Sequence, residues 1–114
     1  MKQRSVYDII KCNNVIYKLI EQQINYTVNV AYKLYKLKKE LDEIELLMNE
    51  RWVTLFGEDY NTDNFTQEEV ILYNATLMAV MDIDTFQLSI EEVVGNDEIK
   101  LSLNEVEIID NFLK

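Results

Sequence analysis

Apolar residues recur at Ile9, Cys12, Ile16, Leu19, Tyr26, Val30, Leu34, Leu37, Leu41, Ile44, Met48, Trp52 and Leu55, mostly in steps of three and four. That spacing keeps one face of an α-helix apolar. Neither Gly nor Pro interrupts the stretch from Ser5 to Phe56. Ser5 followed by Asp8 has the layout of a capping box with Asp in place of Glu. Gln23 fills the empty place between Leu19 and Tyr26. The four-four steps at Tyr26-Val30-Leu34 and Ile44-Met48-Trp52 are stutters, which unwind a supercoil locally without ending a helix. The pattern predicts helix over 6–56, and its running phase favours a continuous one.

Length sets a conflict. Unbroken, that helix would be about 75 Å long at 1.5 Å per residue. A compact domain of this size is about 35 Å across, from a radius of gyration of roughly 13 Å. Either the helix projects and meets a partner, or it is kinked or folded back. The weakest stretch is Asn25–Val30, where β-branched residues and asparagines have poor helix propensity. Asparagine also tolerates the left-handed backbone of a reversal, so a kink or fold-back belongs near 25–29.

Between residues 16 and 35 a second stripe (Ile20, Ile24, Val28, Ala31, Tyr35) widens the apolar face, as suits packing inside a globule. From Lys36 to Glu50 the stripe narrows to Leu37, Leu41, Ile44, Leu47 and Met48 between flanking charges, a coiled-coil-like seam. Each such side chain contributes roughly 1.5–3 kcal/mol when fully buried. Leu37, Leu41, Ile44, Met48 and, at the end of the helix, Trp52 are therefore expected to form an interface with a protein partner or a second copy. The alternative cover is the second half of the chain folding back. Lys36–Glu40, Lys38–Asp42 and Lys39–Glu43 can pair along the helix, each with the base first, the less favourable order.

Beyond Gly57 one signal appears three times: Phe65-Thr66-x-x-Glu69-Val70, Leu88-Ser89-x-x-Glu92-Val93 and Leu101-Ser102-x-x-Glu105-Val106. Each is a capping box with an apolar residue placed to staple onto a valine. Helices are predicted at 67–80, 90–94 and 103–113, with Gly95-Asn96 stopping the middle one. Alternation at Ile83, Phe86 and Leu88 allows a short extended connection over 81–88. The expected fold is all-α: a long amphipathic N-terminal helix (1–57), then an acidic bundle of short capped helices (58–114), in one structural domain.

Charge divides the chain at the same place. Residues 1–57 hold nine Lys/Arg and seven Asp/Glu, a net of about +2; residues 58–114 hold two Lys and fourteen Asp/Glu, about −12. Tyr32–Lys39 is the one basic, aromatic stretch. Acids follow it directly, and the chain's field opposes nucleic acid, so it is expected to face the protein's own acidic half or that of a neighbouring copy. The acidic half, with Asp82, Asp84, Glu91, Glu92, Asp97 and Glu98 as its candidate surface, could instead imitate a phosphate backbone.

The absences narrow the chemistry. Without histidine the commonest general base and transition-metal ligand are missing. Two separated glycines cannot build a phosphate-cradling loop. Asp59-Tyr60-Asn61-Thr62-Asp63-Asn64 opens like a calcium loop but has Asn64 where Gly belongs and Val70 where a bidentate Glu is required, so it reads as a polar turn and cap. The acid pairs Asp82/Asp84 and Glu91/Glu92 could serve two-carboxylate catalysis only in a cleft that sets their separation and raises one pKa; on a short acidic module they are expected to be solvated. Cys12 sits on the apolar seam as a small hydrophobe. Trp52 and Tyr60 are placed to close the junction of the halves.

These residues predict no cofactor, metal or small-molecule substrate, and no enzyme. No apolar run approaches the roughly 20 residues of a membrane span, and the opening residues lack a signal peptide's apolar core. The abundance of Phe, Tyr, Met, Ile, Asn and Lys matches an AT-rich genome, as in many bacteriophages. The expected function is a non-catalytic helical protein–protein interaction or assembly protein from such a source, in the host cytoplasm or the virion. The alternative is an acidic, nucleic-acid-mimicking inhibitor of a DNA- or RNA-binding protein.

Overall fold

Helix α1 (Val6–Glu21) begins where the sequence predicts, with the Asp8 N–H donating to Ser5 Oγ at 3.1 Å. It does not run on. In the computed structural model, which describes residues 1–114, the amides of Gln22 and Gln23 return to the carbonyls of Leu19 and Ile20. Gln23 takes φ 54°, the left-handed position that commonly closes a helix. Thr27 then caps α2 (Val28–Phe56) by accepting the Val30 N–H.

α2 runs back along α1 in the opposite direction: Val6 packs on Met48 and Trp52, and Asn13 reaches Asp42. The continuous helix is thus corrected to a hairpin. The apolar phase could not distinguish the two, because each arm is amphipathic by itself. The reversal lies at 22–27, slightly ahead of the expected 25–29, and a glutamine rather than an asparagine takes the left-handed place. Its anchor is Gln22, whose side-chain amide donates to Lys100 O at 2.8 Å and accepts the Lys100 N–H at 2.7 Å.

The seam is covered within the chain. Leu37 and Leu41 are fully buried in a core with Ile9, Ile16, Ile83, Val93 and Ile109, and Met48 and Trp52 are also buried. Ile44 is half-buried and packs against the same core. These five residues are core, not a free interface, because α1 and the second half of the chain supply the cover that was expected from another molecule.

That second half comprises α3 (Gln67–Leu77), α4 (Ile90–Val94) and α5 (Leu103–Leu113), each opened by the predicted capping box. A 3-10 turn at Thr62–Asn64 replaces the abortive calcium loop, with Asn61 Oδ1 accepting the Asp63 N–H. The fold is mostly helical, at 66%. Its one sheet pairs β1 (Lys2–Ser5) with β2 (Val80–Ile83), antiparallel, in the register Lys2↔Ile83 and Ser5↔Val80. β2 falls at the start of the stretch read as extended and shortens α3 by three residues from the predicted 67–80. β1 carries no alternation and was not predicted.

A tight turn follows β2. Phe86 and Gln87 both take positive φ, and the Leu88 N–H closes onto Thr85 O at 3.1 Å. Asp84 steadies the turn by accepting the Phe86 N–H at 2.7 Å. α5 lies antiparallel on α1, with Lys18 paired to Glu105 at one end and Arg4 Nε donating to Phe112 O at the other. Lys2 also donates to Leu113 O.

Two outcomes check this fold. Left-handed backbone costs a residue with a side chain about 1–2 kcal/mol, partly offset by glycine's greater freedom when unfolded. Gln23→Gly should therefore raise stability by about 0.5–1 kcal/mol, seen as a higher urea midpoint. Burial pushes the Cys12 thiol up to about 12. It should resist thiol reagents at neutral pH in the native protein and react fully once denatured.

Candidate functional site

α3 is apolar almost all round: Val70, Ile71, Leu72, Tyr73, Ala75 and Leu77 leave no broad polar face. A helix of that kind is ordinarily buried, yet none of its residues is. Its inner side rests on the distal end of α2. Trp52 Nε1 donates to Thr76 Oγ1 at 2.8 Å, and the Trp52 and Tyr73 rings lie 5.1 Å apart. Phe56, Tyr60 and Phe65 continue the aromatic cluster, with Phe56 and Phe65 at 4.6 Å and Tyr60 stacked on Phe65. Trp52 and Tyr60 therefore close the junction of the two halves.

The outer side is left bare. Ile71 is 64% exposed and Met78 66%, while Val80 on β2 is 60% and Leu47 on α2 57%. Between α2, α3 and the start of β2 lies an open groove of about 710 Å³. Val6 and Met48 line it together with Leu47, Leu72, Ala75 and Val80, and Glu50 and Arg51 bring charge to it.

A second, smaller groove of about 280 Å³ lies between the hairpin arms, lined by Ile16, Ile20, Ile24, Ala31, Leu34 and Tyr35 among others. It corrects the expectation that the wide stripe would pack inside. Ile20, Val28, Ala31 and Tyr35 are exposed and Ile24 only half-buried, because the second half of the chain covers just one side of the hairpin. Beyond this groove the arms are joined by a polar network. Buried Asn13 donates to Asp42 at 2.9 Å and Glu45 at 3.3 Å, and Tyr17 donates to Asp42 at 2.9 Å. Burial pushes the Asp42 carboxyl up, but the bonds from Asn13, Lys38 and Tyr17 together hold it below its ordinary value.

The predicted acidic surface separates into two groups. Asp82, Glu91, Asp97 and Glu98 are exposed. Asp84 serves the turn at Phe86, and Glu92 accepts the Ser89 N–H at 3.0 Å in its capping box. That backbone bond is the main reason the Glu92 carboxyl is held low, with Lys33 contributing by charge. Lys36 lies over the Tyr32 and Phe86 rings. The basic stretch thus turns towards the chain's own acidic half, as its sequence suggested. Of the three expected pairs along α2 only Lys38–Asp42 forms; Lys36 is drawn to the rings, and Glu40 accepts the Asp84 N–H at 3.4 Å. No three His, Cys, Asp or Glu side chains converge as metal ligands, and no helix is long and apolar enough to cross a membrane.

The outer face of α3 was missed in the sequence. Its signal was available: from Val70 to Met81 only Asn74 and Thr76 are polar, a density without the one-sided pattern of a surface helix. Comparison with known proteins finds no matching family model, no similar curated protein and no similar solved structure.

One carboxylate ties the halves together. Lys18, bonded at 2.8 Å, and the Ser102 N–H hold Glu105 down from an ordinary 4.5 to about 2. A depressed acid stabilises the fold above its unfolded value, and that contribution is lost as pH falls through the folded one. Glu105→Gln keeps a residue suited to the capping box but removes the ion pair. Its urea midpoint should fall less than the parent's between about pH 4.5 and pH 2, followed by circular dichroism.

Proposed function

We propose that this protein is a non-catalytic helical interaction and assembly protein, which docks a protein partner on the outer face of α3 and the groove beside it. The observation that carries the reading is a helix apolar on nearly every side with no buried residue. Ile71, Leu72, Met78, Val80 and Leu47 are each worth roughly 1.5–3 kcal/mol on full burial. Each is already partly covered, so a partner gains the share still exposed, and it does so without first ordering the surface, since the aromatic cluster beneath already holds α3 in place. Preorganisation of that kind lowers the cost of association. The AT-rich residue bias suits a bacteriophage source, with the host cytoplasm or the virion as the place of action.

The acidic mimic is the second reading, favoured by the exposure of Asp82, Glu91, Asp97 and Glu98. Salt separates the two, because contacts between exposed charges are screened within about 10 Å at 0.1 M while apolar docking is not. Tagged protein and its Leu72→Asp variant should be used to recover partners from the source cells at low and high salt. The proposed reading expects a stoichiometric partner that survives high salt and is lost with Leu72→Asp. A partner that Leu72→Asp retains and salt removes would establish the mimic instead.

A further inference from the structure

The α3 groove has a charged rim as well as an apolar lining, and the rim selects its occupant. Glu50 lines the groove from α2. Glu68 precedes Leu72 by four residues and so shares its face of α3. Asp82 follows Val80 on the same face of β2. None of these three carboxylates is in an ion pair, and Arg51 is the one base that lines the groove.

A second copy of the chain is a poor complement. It carries a net −10, and most of its bases are committed. Lys11, Lys18, Lys38 and Lys114 are in ion pairs, Lys2 and Arg4 hold carbonyls of the C-terminal segment, and Lys36 lies over aromatic rings. Self-association would set acid against acid across the apolar strip.

Resting on the reading of α3 as the docking face, we infer that the groove takes a basic amphipathic helix from a different protein: an apolar stripe seated between α2 and α3, with Lys or Arg on its flanks meeting Glu50, Glu68 and Asp82. A helix suits the site because its walls are themselves helices, and side-chain ridges of a third helix fit the grooves between them. α3 offers about 16 Å of wall, at 1.5 Å for each of its 11 residues, so two to three turns of the partner make the contact.

The test uses two synthetic helical peptides with the same Leu/Ile stripe, one flanked by lysines and one by glutamates, added to the full chain. Trp52 is the sole tryptophan and packs in one cluster with Met48, which lines the groove, so its fluorescence reports occupancy. The lysine peptide should bind at least about tenfold more tightly at low salt, the gap narrowing as salt rises. It should gain helical signal on binding. Leu72→Asp should abolish binding and Ile20→Asp, in the other groove, should leave it intact. Glu50→Lys with Glu68→Lys should reverse the preference. Equal binding of the two peptides, no binding of either, or binding without helix formation would overturn the inference. So would a concentration-dependent dimer in ultracentrifugation that Leu72→Asp dissolves. In the first three cases a partner recovered through α3 from cells would leave the broader reading standing.

Discussion

The structure depends on covering one long helix. α2 has 29 residues and is about 43 Å long at 1.5 Å per residue, nearly the whole 46 Å long axis of the molecule. Its seam must be buried along that length, and no single element reaches. α1, with 16 residues, covers about 24 Å of it. The β-turn segment, α4 and α5 close over the same region from one side, and Ile83, Leu88, Val93, Ile109 and Phe112 join Leu37 and Leu41 in one core. Beyond the start of α1 at Val6, cover of α2 falls to α3 and the aromatic residues Phe56, Tyr60 and Phe65. The apolar face left open at that end follows from the mismatch in length between the two arms.

Charge reinforces this arrangement. Of the fourteen acids in the second half, Glu69, Glu92 and Glu105 complete capping boxes, Asp84 braces a turn and Asp110 pairs with Lys114. Acids at helix N-termini also meet the positive end of the helix dipole. A strongly acidic segment is thus partly explained by its three short helices, each needing a cap because none is long enough to form alone. On the hairpin, Lys18 and Lys33 sit opposite two of those caps, at Glu105 and Glu92, and help orient the acidic half on it.

Much of this was legible in the residues, and the failures have physical causes. The three caps were read to the residue because a capping box is a local, reciprocal hydrogen-bond pattern. Leu37, Leu41, Met48 and Trp52 were recognised as a seam that demands burial, but periodicity states only that a face must be covered, never by what. The reversal was misplaced because its parts are weak locally. Thr27 lacks the acidic residue three positions on, where Val30 stands, and Gln22 works through a bond to Lys100, far off in sequence. β1 is held by its pairing with β2 and by Arg4 and Lys2 on the end of α5, all long-range contacts. The α3 face escaped notice because apolar residues spread around a helix form no one-sided stripe to mark it.

That α3 presents Ile71 and Leu72 outward is a choice fixed by chemistry rather than a failure to pack. A helix with apolar residues spread around most of its circumference can bury several of its faces with similar gain, so burial alone does not set its rotation. Trp52 does. Its indole N–H is buried with the ring, and a buried donor without a partner costs about 1–3 kcal/mol. Thr76 Oγ1 supplies the acceptor and itself donates to Tyr73 O at 2.6 Å, while the Tyr73 ring packs on the indole, on Phe56 and on Phe65. Turning α3 by one residue, about 100° for 3.6 residues per turn, would bring Leu72 inward but break that bond and unstack those rings. The polar atom under α3 therefore holds Ile71 and Leu72 towards solvent.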